Sequence, residues 1–289
     1  MKPTSNSSII ICSIVRDAEQ GLKKNIPVIK ELCRHFKDYH IVVYENDSRD
    51  ATKQLLTDWM ESDREHVAAL MNNTDPTKTI PSSKITKEAN PFFCRKRIEK
   101  MAALRNQYMQ YIEQAGWEAD YLMVVDLDVA NISLQGILTS FDKKAPQWDA
   151  VTAYGYSTAP NLKRRYHDTY ALVEKGQANI PQTEQTIHDN ALAFASKMKE
   201  EKWIQVDSAF GGLAIYRFEA IKGLRYQVLE NNDSRVEVRC EHQSIYRQMS
   251  ERGATAIYVN PLMKLKYQNL TIKIVWGTIK RKFTNLIHV

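Results

Sequence analysis

Short apolar runs alternate with helical stretches through the first half of this chain, and that alternation limits what it can fold into. Ile9, Ile10, Ile11, Cys12, Ser13, Ile14 and Val15 form a β-branched run too short for a helix and apolar on both faces, the pattern of a covered strand. Residues 40–44 and 67–70 read the same way, and the run from Tyr121 ends in Asp126, Leu127 and Asp128. Between them, helices are read from about Arg16 to Phe36, over residues 51–60 with Ser48 or Asp50 as N-cap, and over residues 93–114. Strand, helix, strand, helix, strand, helix, strand implies an α/β fold: a mixed, mostly parallel sheet flanked by helices.

Past Val129 the pattern loosens. Residues 134–141 read as a short helix, 148–154 as a strand, 156–165 as a loop, 206–216 as a turn entering a strand, 241–252 as a helix and 255–259 as a strand. Residues 72–90 are polar and punctuated by Pro76, Pro81 and nearby Pro91, which reads as a mobile loop. No break in composition marks a second domain. The expected organisation is a disordered polar start over residues 1–8, one domain over 9–261, and a basic tail over 262–289.

At 289 residues the chain has ample length for a core. Its net charge of +6 is concentrated: Lys264, Lys266, Lys273, Lys280, Arg281 and Lys282 lie after Pro261 with no acid among them. The rest balances, which argues against a nucleic-acid partner. Ile272, Trp276, Ile279, Phe283 and Leu286 would form one apolar stripe on a helix, with the basic residues beside it. Such a tail suits peripheral contact with an anionic membrane, or docking on the domain. Cys12, Cys33, Cys94 and Cys240 show no paired spacing, so they are expected as reduced thiols; with no signal peptide or spanning segment in view, the expected location is the cytoplasm.

In a strand, Asp126 and Asp128 share a face and repel each other, a cost that a hard cation such as Mg²⁺ or Mn²⁺ would remove. A strand ending in a polar turn is the plain alternative. Glu45, Asn46, Asp47, Ser48, Arg49 and Asp50 follow the second strand with acceptors suited to ring N–H and ribose hydroxyl groups. Arg16, Glu45 and Asp128 each stand just past a strand's carboxyl end, where ligands of such sheets bind.

The loop from Glu45 through Thr52 resembles the acidic loop of nucleotide-sugar glycosyltransferases of the GT-A fold, and most closely the version in fungal capsule-associated mannosyltransferase-like proteins. Leu104-Arg105-Asn106, Asp126-Leu127-Asp128, Phe210-Gly211-Gly212 and Cys240-Glu241-His242 follow in that family's order. Asn46 and Asp47 depart from the commoner Asp-Gly. The resemblance implies a GT-A, Rossmann-like fold and sugar transfer from a nucleotide-diphosphate sugar, UDP- or GDP-linked, to a glycan or glycolipid acceptor with Mn²⁺ or Mg²⁺. It implies donor contacts at Arg16, Glu45, Asp47, Arg105, Asp126, Gly211 and Gly212, and metal contact at Asp128 and Asp126, with His242 read as a third metal ligand, a base or a plain structural residue. It makes Glu241 or Asp207 the catalytic carboxylate. The glycines would admit a sugar close to the backbone, or simply form a tight turn.

Trp148, Asp149, Tyr154, Tyr156 and the run Tyr166 to Tyr170 would offer rings for acceptor stacking, or core packing instead. An Asp-nucleophile phosphohydrolase fits less well, because such an enzyme has its acid pair near the start of the chain and Thr or Val two residues on, where this chain has Ala130. A non-catalytic glycan-binding module is the third reading.

Overall fold

The computed structural model describes residues 3–72, 90–158 and 163–268. The expected loop over 72–90, apart from its end residues Asn72 and Asn90, and the amphipathic stripe from Ile272 onward lie outside them. Residues 3–8 are not disordered: Thr4–Asn6 form a single 3-10 turn, Ser7 is fully buried, and Ser8 already belongs to the first strand.

In chain order the elements are β1 (Ser8–Val15), α1 (Glu19–Cys33), β2 (Asp38–Asn46), α2 (Thr52–Ser62), β3 (Val67–Asn72), α3 (Arg95–Gln114) and β4 (Tyr121–Val125). Then come β5 (Asn131–Ile132), α4 (Leu134–Leu138), β6 (Ala150–Thr158), β7 (Arg164–Tyr166), β8 (Val173–Glu174) and α5 (Glu184–Lys197). The chain closes with β9 (Ile204–Ser208), β10 (Leu213–Arg217), α6 (Phe218–Ile221), α7 (Glu241–Glu251) and β11 (Ile257–Lys266). The strands make one sheet in the order β3-β2-β1-β4-β10-β6-β11-β9-β8. The half from β3 to β4 is parallel throughout, while β10 runs antiparallel to both β4 and β6.

Both faces of β1 are buried, which is why its sequence shows almost no polar alternation. Ile10 and Cys12 pack with Tyr108, Met109 and Ile112 of α3 and Ile245 and Met249 of α7. Ile9, Ile11 and Val15 face the other way, onto Leu22, Ile29 and Leu32 of α1 and Leu56 and Trp59 of α2. α5 carries a capping box at Thr183 and Thr186 and buries Phe194 against the first of these cores. β11 runs past Pro261 with a register shift between Asn260 and Lys264, so the folded unit extends beyond residue 261 at least to Tyr267. Among the described residues no helix is long and apolar enough to cross a membrane, and all four cysteines are free thiols.

Candidate active site

β4 stops at Val125, so Asp126, Leu127 and Asp128 form a turn beyond the strand's end and not its last residues. The expected split of faces survives the turn: Leu127 is buried in the core while Asp126 and Asp128 line a cleft of about 610 Å³. α1 clamps this turn from beneath. Asn25 Nδ2 donates to the carbonyls of Leu127 and Val129, each at 2.9 Å. One turn earlier, Gly21 packs so closely that a Cβ there would meet Leu127 O at 2.4 Å and Asp128 Cα at 2.5 Å.

Because β10 is antiparallel to β4, its beginning lies beside the end of β4. Asp126 N donates to Gly212 O at 2.8 Å. Gly211 and Gly212 have φ of 62° and 83°, a region that L side chains avoid. A Cβ on Gly211 would fall 2.2 Å from Ala153 O, and one on Gly212 would fall 2.7 Å from the Tyr267 hydroxyl. Neither glycine lines the cleft; they make a tight turn against β6 and Tyr267. The sequence had left sugar approach open, and the geometry favours the turn.

Four carboxylates reach the cleft: Asp126, Asp128, Asp168 from the loop after β7, and Glu241 at the start of α7. Desolvation, then the Asp128 charge, pushes the Asp126 carboxyl up to about 8 against the pull of Arg105. Desolvation and Glu241 push Asp168 up to about 6, although the backbone amides of Gly211 and Ala171 donate to it. Asp128, open to solvent on its outer side, is raised by desolvation as well. Tyr267 donates its hydroxyl to Asp126 Oδ2 at 3.2 Å and stacks on His167 with ring centres 3.7 Å apart.

Arg105 is the main counter-charge. It is buried on α3, and its Nε donates to Glu241 Oε1 at 2.9 Å. The rings of Phe210 and Tyr226 flank its guanidinium at 5.1 and 5.8 Å. Its Nη1 is buried with no hydrogen-bond partner among the described residues. Arg16, just past β1, lines the same cleft.

Other expected contacts land elsewhere. Glu45 is fully buried and accepts from the Ser48 amide, with Lys53 Nζ at 3.9 Å; it closes its own turn, and Asn46 lines the cleft in its place. Asp47 takes a left-handed φ of 57° and does not line the cleft. Ser48 caps no helix: its Oγ accepts from Asp17 N at 2.9 Å, and Asp17 Oδ1 accepts from Arg49 N at 2.8 Å, which ties the β1 and β2 loops together.

Asp207 does not belong to the cleft. Its Oδ2 accepts from the amides of Gly176, Gln177 and Ala178, and Lys175 Nζ lies 3.1 Å from Oδ1. That is a turn-holding carboxylate. His242 lines the cleft, but its ring is buried, stacked on Phe210 at 3.8 Å, and held neutral by burial and the Arg105 charge. Both His242 ring nitrogens are buried without a hydrogen-bond partner among the described residues, and no three His, Cys, Asp or Glu side chains are grouped there as an ion site. Of the aromatic run, Trp148, Tyr154 and Tyr166 are core residues, while His167 to Tyr170 line the cleft. Tyr267 and Asp168 are the residues that sequence reasoning missed: one lay past the expected domain end, and the other sat unmarked in an aromatic run.

A family model described as Cryptococcal mannosyltransferase 1 matches residues 8–251. The chain belongs to that mannosyltransferase family. The match takes in every cleft element named above except Tyr267. Among solved structures, the mannosyltransferase PcManGT from Pyrobaculum calidifontis in complex with GDP-Man and Mn²⁺ superposes with a TM-score of 0.52 at 11% identity, covering 97% of this chain. The chain spans 63% of that longer one, and the likeness shows a shared fold. S. aureus TarS 1–349 is more distant, with a TM-score of 0.47 at 12% identity over 89% of this chain and 59% of that one. No curated protein sequence matches the chain.

The donor set suits one kind of cation. Carboxylate oxygens from Asp126 and Asp128 fit hard ions, and Mg²⁺ or Mn²⁺ typically takes one or two carboxylates alongside substrate phosphates and water. Desolvation and the neighbouring Asp128 charge raise the Asp126 carboxyl to about 8, a repulsion between the two acids that a bound cation would relieve.

Proposed function

We propose that the protein moves a sugar from a UDP- or GDP-linked donor to a hydroxyl of a glycan or glycolipid, with Asp128 and Asp126 seating Mn²⁺ or Mg²⁺ against the donor diphosphate. Mannose is the first sugar to test, given the family and the GDP-Man bound in the structural neighbour. One observation carries the reading: Asp126, Asp128, Arg16 and Arg105 converge in a single cleft beyond the ends of parallel strands. Metal dependence, acceptor and membrane contact are parts of this proposal.

A leaving nucleoside diphosphate gains negative charge as the glycosidic bond breaks. When bound, the divalent ion would neutralise that charge and polarise the phosphate oxygens. Arg105 contributes a buried guanidinium whose free Nη1 can donate to the leaving group, and Arg16 adds a second cation at the end of β1. These charges act more strongly on the transition state than on the ground state, because that is when the diphosphate charge develops. Glu241 is held through Oε1 by Arg105; its Oε2 meets the weak Cys240 thiol donor at 3.4 Å and can take the proton of the acceptor hydroxyl.

Screening nucleotide sugars for nucleoside diphosphate release with and without Mn²⁺ tests this. The reading expects at least one donor to turn over with metal and Asp128→Ala to lose about a hundredfold or more. Glycan binding with no turnover of any donor would point to a binding module.

A further inference from the structure

The cleft has two sides of different chemistry, one made by the loops after β1 and β2 and one by aromatic residues beside the start of α3. On one side stand Arg16 and Asn46, at the ends of β1 and β2. On the other side stand Arg97, in the first turn of α3, and Tyr170, whose hydroxyl feels the Arg97 charge. Arg97 and Arg105 both line the cleft and are eight residues apart, so they lie roughly 12 Å apart along the helix.

Arg97 differs from the other cleft arginines. Among the described residues no carboxylate pairs with its guanidinium, which lies 5.6 Å from the ring centre of Phe92. Phe92 is 42% exposed, one of the few large apolar side chains on the surface. Phe93 meets Tyr170 edge to face at 4.7 Å, and the Tyr170 hydroxyl is anchored on Val238 O. The loop carrying these rings is fixed: Asn90 Oδ1 accepts from Phe92 N at 3.0 Å, and Asn90 Nδ2 donates to Glu184 Oε1 at 2.6 Å. An exposed Phe92 ring and a half-buried Tyr170 ring, beside a guanidinium with no carboxylate partner among the described residues, form a platform for a sugar ring with an anionic group next to it.

We infer that this outer wall is an acceptor subsite for a glycan carrying an anionic group, a carboxylate or a phosphate, which Arg97 engages while Phe92 and Tyr170 support the sugar. The inference rests on the proposed transfer reaction and names its second substrate. The donor occupies the loop side and the deep acids, so the acceptor hydroxyl reaches Glu241 from the Phe92 side. The anion then sits toward the mouth of the cleft, outward from the reacting hydroxyl.

Calorimetric titration of the full chain with three matched mannose disaccharides, one neutral, one with a uronic acid as its second sugar and one bearing a phosphomonoester, tests the subsite without relying on turnover. The expected result is that the uronate or the phosphate form binds about tenfold or more tightly than the neutral one. Arg97→Gln should abolish that preference, and Phe92→Ala should weaken all three. Which anion binds better identifies the group. Equal binding of all three sugars, or a preference that persists in Arg97→Gln, overturns the inference. If the anionic disaccharide binds as expected but no donor is turned over, the subsite stands and the transferase reading falls.

Discussion

Asp126 holds a proton that an ordinary aspartate would have lost, and this has a measurable consequence. Its carboxyl rises to about 8 in the folded chain, above the unfolded value, so between about pH 4 and 8 the folded state binds more protons than the unfolded one. Stability contributed by this group is therefore present at low pH and lost as pH rises through that window. Asp126→Asn should raise the melting temperature of the metal-free protein at pH 9 relative to wild type and change it little at pH 5. Thermal unfolding at the two pH values measures this; an equal effect at both would show that Asp126 is an ordinary solvated acid. The Arg105–Glu241 pair behaves differently, since each is the other's partner in a buried place. Glu241→Ala should cost about 3–5 kcal/mol by leaving a buried guanidinium uncompensated, and adding Arg105→Met should recover much of it. Chemical denaturation of the single and double variants decides this, and additive losses would contradict it.

At the scale of elements, the acids are placed by packing that their own sequence does not announce. Gly21 and Asn25 on α1 hold the Asp126–Asp128 turn, so Gly21→Ala should displace Asp128 and weaken nucleotide binding although Gly21 does not line the cleft. Asn25→Ala, which strands two buried carbonyls, should lower stability by about 1–3 kcal/mol. Unfolding midpoints and nucleotide affinity for both variants check the clamp, and unchanged values in both would remove it. The strands β1, β2 and β4 were legible because both their faces are covered, which leaves uninterrupted apolar runs. The cleft's strand ends followed from them, and with them Arg16, Asp126 and Asp128, whereas Arg105 and Glu241 were named only through the family resemblance; all five line the cleft. Much else depended on pairing that a single sequence does not display. Glu45 turns back on the Ser48 amide, and Asp207 serves the turn after β8, because each finds local backbone donors that a motif does not reveal. Tyr267 reaches Asp126 only because β11 continues through Pro261, a residue that reads as a strand end. α5 was missed although Thr183 and Thr186 already carried a capping signal.

For the molecule as a whole, the sheet brings the ends of β1, β2 and β4, the turn before β10 and the start of α7 to one edge, and the cleft opens there. The proposed reaction requires this edge to grip a nucleoside diphosphate through a divalent cation seated on Asp126 and Asp128. The most direct measurement is calorimetric titration of the protein with GDP and with UDP, each in the presence and absence of Mn²⁺, for wild type and Asp128→Ala. One of the two nucleotides is expected to bind wild type at least tenfold more tightly with Mn²⁺ than without, and Asp128→Ala to lose this gain. Equal affinity with and without the ion, or an ion effect that survives in Asp128→Ala, would contradict it.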